Sequence, residues 1–138
     1  MKLFQTKIDK KTWVSDLNKI GTDKKWFLSI QNHTNTEFIG LDILSLNEER
    51  VQIGACTFTP FDDVIDCSIF IFPEHRRNGY AKKYISDLVS TFVNIQFTVS
   101  KYNFNSLRLL ESISELKKSE INNRIMNYRF TKKSNLCT

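Results

Sequence analysis

The hydrophobic pattern of this chain changes period near Phe72, and that change limits the folds open to it. Before it, EFIGLDILSLN, RVQIGACTFTP and VIDCSIFIF are rich in β-branched and aromatic residues and are separated by NEE and FDD. They read as strands joined by short turns. WFLSIQ, from Trp26, has the same character, and KLFQTKI near the N-terminus reads as a further strand. From Gly79 onward, Ala81, Tyr84, Ile85, Leu88, Val89 and Phe92 fall on one stripe of a helix. Alternation returns in IQFTVS, Ile95 to Ser100. NSLRLLESISEL, Asn105 to Leu116, reads as a second helix with Leu109, Ile113 and Leu116 inward. INNRIMNYRF closes as a strand, and KKSEI before it is open to pairing with it. A short N-terminal helix, Lys10 to Ile20, follows from Asp9 as cap, from Trp13, Leu17 and Ile20 at helical spacing, and from Gly21 as stop.

A strand meander followed by strand, helix, strand, helix, strand predicts an α+β fold in three layers. Its sheet is mixed, mostly antiparallel and twisted, with helices flanking it. At 138 residues the chain is expected to be a single domain, residues 1–138, with one site. A strand-helix-strand crossover leaves that site at the carboxyl end of its first strand.

Composition excludes several classes. Hydrophobic residues make up 41% of the chain, and glycine and proline together number only six, so neither disorder nor a loop-rich scaffold fits. The apolar runs are far too short for a membrane span, and MKLFQTKIDKK lacks the apolar stretch of a signal peptide, so a cytoplasmic location without a membrane partner is expected. Cys56, Cys67 and Cys137 have no metal-ligand spacing and only His33 and His75 to assist them, so they read as reduced thiols with no metal. Asn32-His33-Thr34 spells a glycosylation sequon and reads as a polar turn. The net charge of +5 is segregated: +4 over residues 1–26, −7 over 27–75 and +8 over 76–138. Two surfaces for two ligands would produce that division, as would solvated faces that happen to differ.

The predicted strand end carries FPEHRRNGYAKKY, Phe72 to Tyr84, with one of only four glycines in the chain. A helix beginning at Gly79 presents amides without intrahelical partners, and its dipole adds partial positive charge, so a phosphate is favoured there. Gly79 has no Cβ to obstruct an anion, Ala81 is small, and Arg76 and Arg77 add formal charge. A tight turn with a positive-φ glycine and solvated arginines is the plainer alternative.

Arg76-Arg77-Asn78-Gly79-Tyr80-Ala81 resembles the R/Q-x-x-G-x-G/A pyrophosphate loop of the GNAT acetyltransferases, which also follows a strand and opens a helix. FTVSKYNFNSLRLLESIS, Phe97 to Ser114, is similar to the family's next strand and helix, with Asn103, Ser106, Leu109 and Glu111 in matching positions. The resemblance implies a GNAT-like acyl-CoA acyltransferase fold and transfer of an acetyl group from acetyl-CoA to an amine by direct attack, through a tetrahedral intermediate. It implies that backbone groups near Ile69, Ile71 and Phe72 bond the pantetheine arm like an added strand. The amides from Arg77 to Ala81, with Asn78 and Tyr80 among them, would cradle the pyrophosphate, and Asn103 and Ser106 would lie along the arm beyond it.

The familiar catalytic side chains are missing. The family's tyrosine position is Leu110, and its glutamate positions are Thr98 on one strand and Ile65 and Cys67 on another. Asp66 is the nearest carboxylate and the candidate base. Alternation puts it opposite Cys67, Ile69 and Ile71, a parity that only a bulge would reverse; without one it reads as a surface or salt-bridge residue. Tyr80 and Tyr102 are candidate acids that also read as packing residues, and Cys67 reads as a small buried hydrophobe.

Three functions compete. An N-acetyltransferase would take an amine, either a cationic small molecule drawn by the −7 segment or a protein amine. A GNAT-fold module could hold acyl-CoA or a macromolecule without turnover, and a homodimer is compatible with either. Nucleic-acid binding by Arg124, Arg129, Lys132 and Lys133 beside Tyr128 and Phe130 is disfavoured, because those aromatics alternate as core residues do.

Overall fold

The computed structural model describes residues 2–20, 27 and 35–132. The described strands are β1 (Leu3–Lys7), β2 (Glu37–Leu44), β3 (Arg50–Phe61), β4 (Val64–Ile71), β5 (Asn94–Ser100), β6 (Lys117–Glu120) and β7 (Ile125–Thr131). They form one sheet in the order β1-β2-β3-β4-β5-β7-β6. Every neighbouring pair is antiparallel except β4 and β5, which run parallel. The described helices are α1 (Lys10–Leu17), α2 (Tyr80–Thr91) and α3 (Phe104–Glu111), and a single 3-10 turn, Pro73–His75, leads out of β4.

Each face of the sheet buries its own cluster. On one face Cys56, Phe58, Cys67, Ile71, Ile95, Phe97, Val99, Met126 and Tyr128 pack with Tyr84, Ile85, Leu88 and Val89 of α2 and with Leu110 and Ile113. On the other, Ala55, Phe70 and Phe72 meet Trp13 and Leu17 of α1, together with Ile20 and Phe27. Trp13 stacks at tilted or edge geometry on Phe38 and Phe70, which seats α1 over β2, β3 and β4.

Several elements differ in extent from the sequence expectation. α1 stops at Leu17 and continues only as a turn to Ile20, although Asp9 does cap it, accepting from the Thr12 amide at 2.7 Å. α3 ends at Glu111, five residues before Leu116. The Ser112 hydroxyl donates to the Leu109 carbonyl at 2.6 Å and draws off an acceptor from the last turn. KKSEI does pair: Lys117–Glu120 forms the sheet edge beside β7. Between Trp26 and Phe72 three strands are described; of the fourth segment, WFLSIQ, only Phe27 is described, and it is helical. Gly21, His33, Lys133, Cys137 and the Asn32 sequon lie outside the described residues. No described helix is long and apolar enough to cross a membrane.

Candidate functional site

The parallel pair is the weak seam of the sheet. β4 and β5 are in register only at Ile65↔Ile95 and Asp66↔Gln96, yet β4 continues to Ile71 and β5 to Ser100. Past Asp66 the two strands part, and among the described residues no strand lies beside the edge of β4 turned toward β5. β3 holds the other edge in unbroken register from Phe61↔Val64 to Gly54↔Ile71, so the parting bends only one side of β4. A cleft of about 660 Å³ fills the opening. Its walls come from β4 (Cys67 to Ile71), the loop and first turn of α2 (Arg76, Arg77, Gly79 to Lys82), β5 (Phe97 to Ser100) and α3 (Asn103, Ser106, Leu110).

At the outer end of the cleft the loop has the geometry of an anion cradle. Gly79 is the N-cap of α2 at φ +76°, and Arg77 shares the left-handed region at φ +67°. The first intrahelical bond runs from the Lys83 amide to the Gly79 carbonyl at 3.0 Å. The amides of Arg77 through Lys82 donate to no acceptor among the described residues, and no side chain caps the helix. A Cβ built on Gly79 meets nothing within 4 Å, so the space in front of these amides is open. A diphosphate fits such a row, which offers unspent N–H groups and dipole charge together.

Not every side chain expected to face a ligand does so. Arg76 Nε donates to the Ile71 carbonyl at 2.9 Å, so its guanidinium is folded back onto the end of β4. Asn78 Nδ2 bonds the His75 and Arg76 carbonyls and shapes the loop from within. Asn103 caps α3, its carboxamide oxygen accepting from the Ser106 amide at 3.2 Å, and both residues line the cleft wall. Ile69 is half-buried on the cleft, while Phe72 is buried toward α1, with its amide donating to Ile53. Tyr80 and Ala81 stand at the mouth. Tyr102 is 72% exposed, which overturns its reading as a packing residue.

β4 contains no bulge, so Asp66 does lie on the face opposite Cys67. It is not a surface residue, however: only 8% of it is exposed, and it accepts from Gln96 Nε2 at 3.2 Å where β4 and β5 are last paired. Strand parity alone could not show this, because burial depends on what covers the face. No acid of the −7 segment, Asp66 included, is among the residues lining the cleft. Glu48 and Glu49 sit in the β2–β3 turn, Asp62 and Asp63 in the β3–β4 turn at the far end of β3, and all four are exposed. Cys67 is 1% exposed beside Cys56, and burial pushes its thiol pKa well up, so it is a poor nucleophile. Leu110 is buried on the cleft wall and Thr98 lines it, so no acid or base fills the familiar positions.

No family model matches the chain, and no curated protein matches it by sequence. Solved structures do. A mutant form of the spermidine/spermine N-acetyltransferase SpeG from Vibrio cholerae matches at 12% identity over 94% of both chains, with a TM-score of 0.61. A dodecameric spermidine N-acetyltransferase from the same organism matches at 11% identity over 97% of this chain and 96% of that one, with a TM-score of 0.65. A domain from Methanocaldococcus jannaschii matches at 12% identity over 93% and 97%, with a TM-score of 0.72. Nearly full coverage at so little identity is a likeness of backbone: the chain has the fold of the GNAT acetyltransferases.

Proposed function

We propose that this chain is an N-acetyltransferase that takes acetyl-CoA in the opening between β4 and β5 and passes the acetyl group to an amine. The observation that carries the reading is a strand edge left without a partner past Asp66, leading to unspent amides at Arg77 to Lys82. A pantetheine arm has amide groups that can bond such an edge, and a diphosphate at its other end suits the loop. Acetyl-CoA supplies an activated acyl carbonyl; the chain supplies position. β4 and β5 hold the arm in line, Leu110 and Val99 keep water from the wall, and Asp66, buried where β4 and β5 are last paired, is the candidate acceptor of the amine's proton. An acceptor amine is protonated in water, so a carboxylate there draws it in and then takes its proton as the nitrogen attacks the acyl carbon. With no tyrosine at Leu110 the departing thiolate takes its proton from solvent.

The test is a mass-detected survey of amines, including polyamines, aminoglycosides and peptides, with acetyl-CoA and the intact chain. Acetylated product and stoichiometric free coenzyme A are expected. A chain that fails to bind acetyl-CoA in calorimetry contradicts the reading. The absence of the familiar acid and base favours one alternative, a module that holds acyl-CoA without turnover. Tight binding with neither acetylation nor slow hydrolysis would identify it.

A further inference from the structure

A second cavity, of about 530 Å³, opens on the face of the sheet that α2 covers, and it shares no described lining residue with the cleft. Its two sides differ in chemistry. Toward α2 it is apolar: Phe92, next after the last residue of the helix, stacks on Phe58 of β3 with ring centroids 5.5 Å apart, and Ile65 of β4 and Ile39 of β2 extend the surface. Toward the β1 edge of the sheet stand two exposed charges, Lys7 at the end of β1 and Glu37 at the start of β2.

Register fixes how these groups meet. Lys7 is paired with Ile39, and Glu37 with Phe58, so each charge stands beside an apolar residue of the cavity. Lys7 and Glu37 are thus diagonal neighbours on one face of an antiparallel pair, a spacing that long side chains can bridge. They do not bridge it: the two form no ion pair with each other, and neither has an ion-pair partner elsewhere among the described residues.

A pocket of this size draws affinity from its apolar wall and orientation from a few polar groups. Phe58 and Phe92 offer an aromatic ring a third member for their stack, at offset or edge geometry. An apolar amine would leave Lys7 without a partner, and an apolar acid would leave Glu37 without one. A molecule with an ammonium and a carboxylate on one carbon, beside an aromatic group, answers both charges and the wall.

We propose that this cavity binds a free α-amino acid with an aromatic side chain, its carboxylate on Lys7, its ammonium on Glu37 and its ring against Phe58 and Phe92. The site is separate from the cleft, and the proposal stands apart from the acetyltransferase reading.

L-phenylalanine, phenethylamine and hydrocinnamate are the probes, titrated into the isotope-labelled chain and followed by amide chemical shifts. L-phenylalanine should shift amides around Lys7, Glu37, Ile39, Phe58 and Phe92, and should bind roughly threefold more tightly than either analogue, the worth of one exposed charge contact. K7Q should bind L-phenylalanine no better than the wild type binds phenethylamine, and E37Q no better than it binds hydrocinnamate. Both side chains are exposed, so the two variants stay folded through the titration. No shift at the cavity in millimolar L-phenylalanine overturns the proposal, as does equal affinity for the three probes or unchanged affinity in both variants. Shifts confined to residues 67–71 and 98–100 would put the amino acid in the cleft, and overturn it too.

Discussion

Gly79 concentrates the argument for an anion at the loop. Its φ of +76° and the empty space before its Cα are both needed: the first turns the chain into α2, the second leaves the amides reachable. Gly79→Glu should fold and should bind acetyl-CoA roughly a hundredfold or more weakly, since two like charges about 4 Å apart near a surface repel by about 4 kcal/mol. Gly79→Ala separates charge from strain; it costs about 1–2 kcal/mol of stability at this φ and keeps most of the affinity. Calorimetry on both, beside their melting curves, checks this. The glycine was legible because it is scarce and opens a helical stripe. The bond from Arg76 to Ile71 was not, because a long side chain takes its partner from the curve of the loop. Asp66 was legible as a carboxylate opposite Cys67, but not as a buried one.

At the scale of elements, strand order and period were readable from alternation, whereas ends were not. α1 and α3 both stop short of their sequence patterns because Ile20, Ile113 and Leu116 bury or half-bury themselves from turns as well as from helices. The bulge between β2 and β3, where the register shifts beside Gly54, was also hidden, since a lone glycine in a strand has several uses. Here its use is close approach: a Cβ on Gly54 would lie 2.2 Å from the Phe70 carbonyl oxygen. Gly54→Ala should therefore destabilise by about 1–3 kcal/mol through displacement of β4, measured by urea denaturation.

α3 is tied to the edge of the sheet through Glu111, which bonds Lys118 at 2.6 Å and Tyr128 at 3.0 Å. These bonds, led by Lys118, hold the Glu111 carboxyl below its usual 4.5, so the stability it adds is present above that pH and is lost as pH falls through the lowered value. The Tyr128 phenol is pushed up to about 12, chiefly by burial and then by Glu111. Its share is present below pH 10 and is lost as pH rises from there toward 12. Glu111→Gln should be less stable than the wild type at pH 7, and the two should converge as the pH drops below about 4. Denaturation curves across pH 3 to 7 read this; a constant difference would mean that the charge is not the cause.

For the whole molecule, one parallel pair in an otherwise antiparallel sheet determines where function can sit. The sequence revealed the crossover that makes β4 and β5 parallel, through the strand-helix-strand order around α2. It could not reveal that the two part after a single shared stretch, because separation of strands is a property of how two layers pack. Nor could it set Thr57 beside Ser68 or Thr98 beside Asn127, pairs that meet only through register. If this opening takes the arm of acetyl-CoA, the ligand must protect the strands and loop that line it, which amide hydrogen exchange with and without acetyl-CoA reads out. Exchange should slow strongly at residues 67–71, 77–82 and 98–100, with the β1–β2 edge unchanged. Binding without slowing at β4, or slowing confined to another surface, would contradict it.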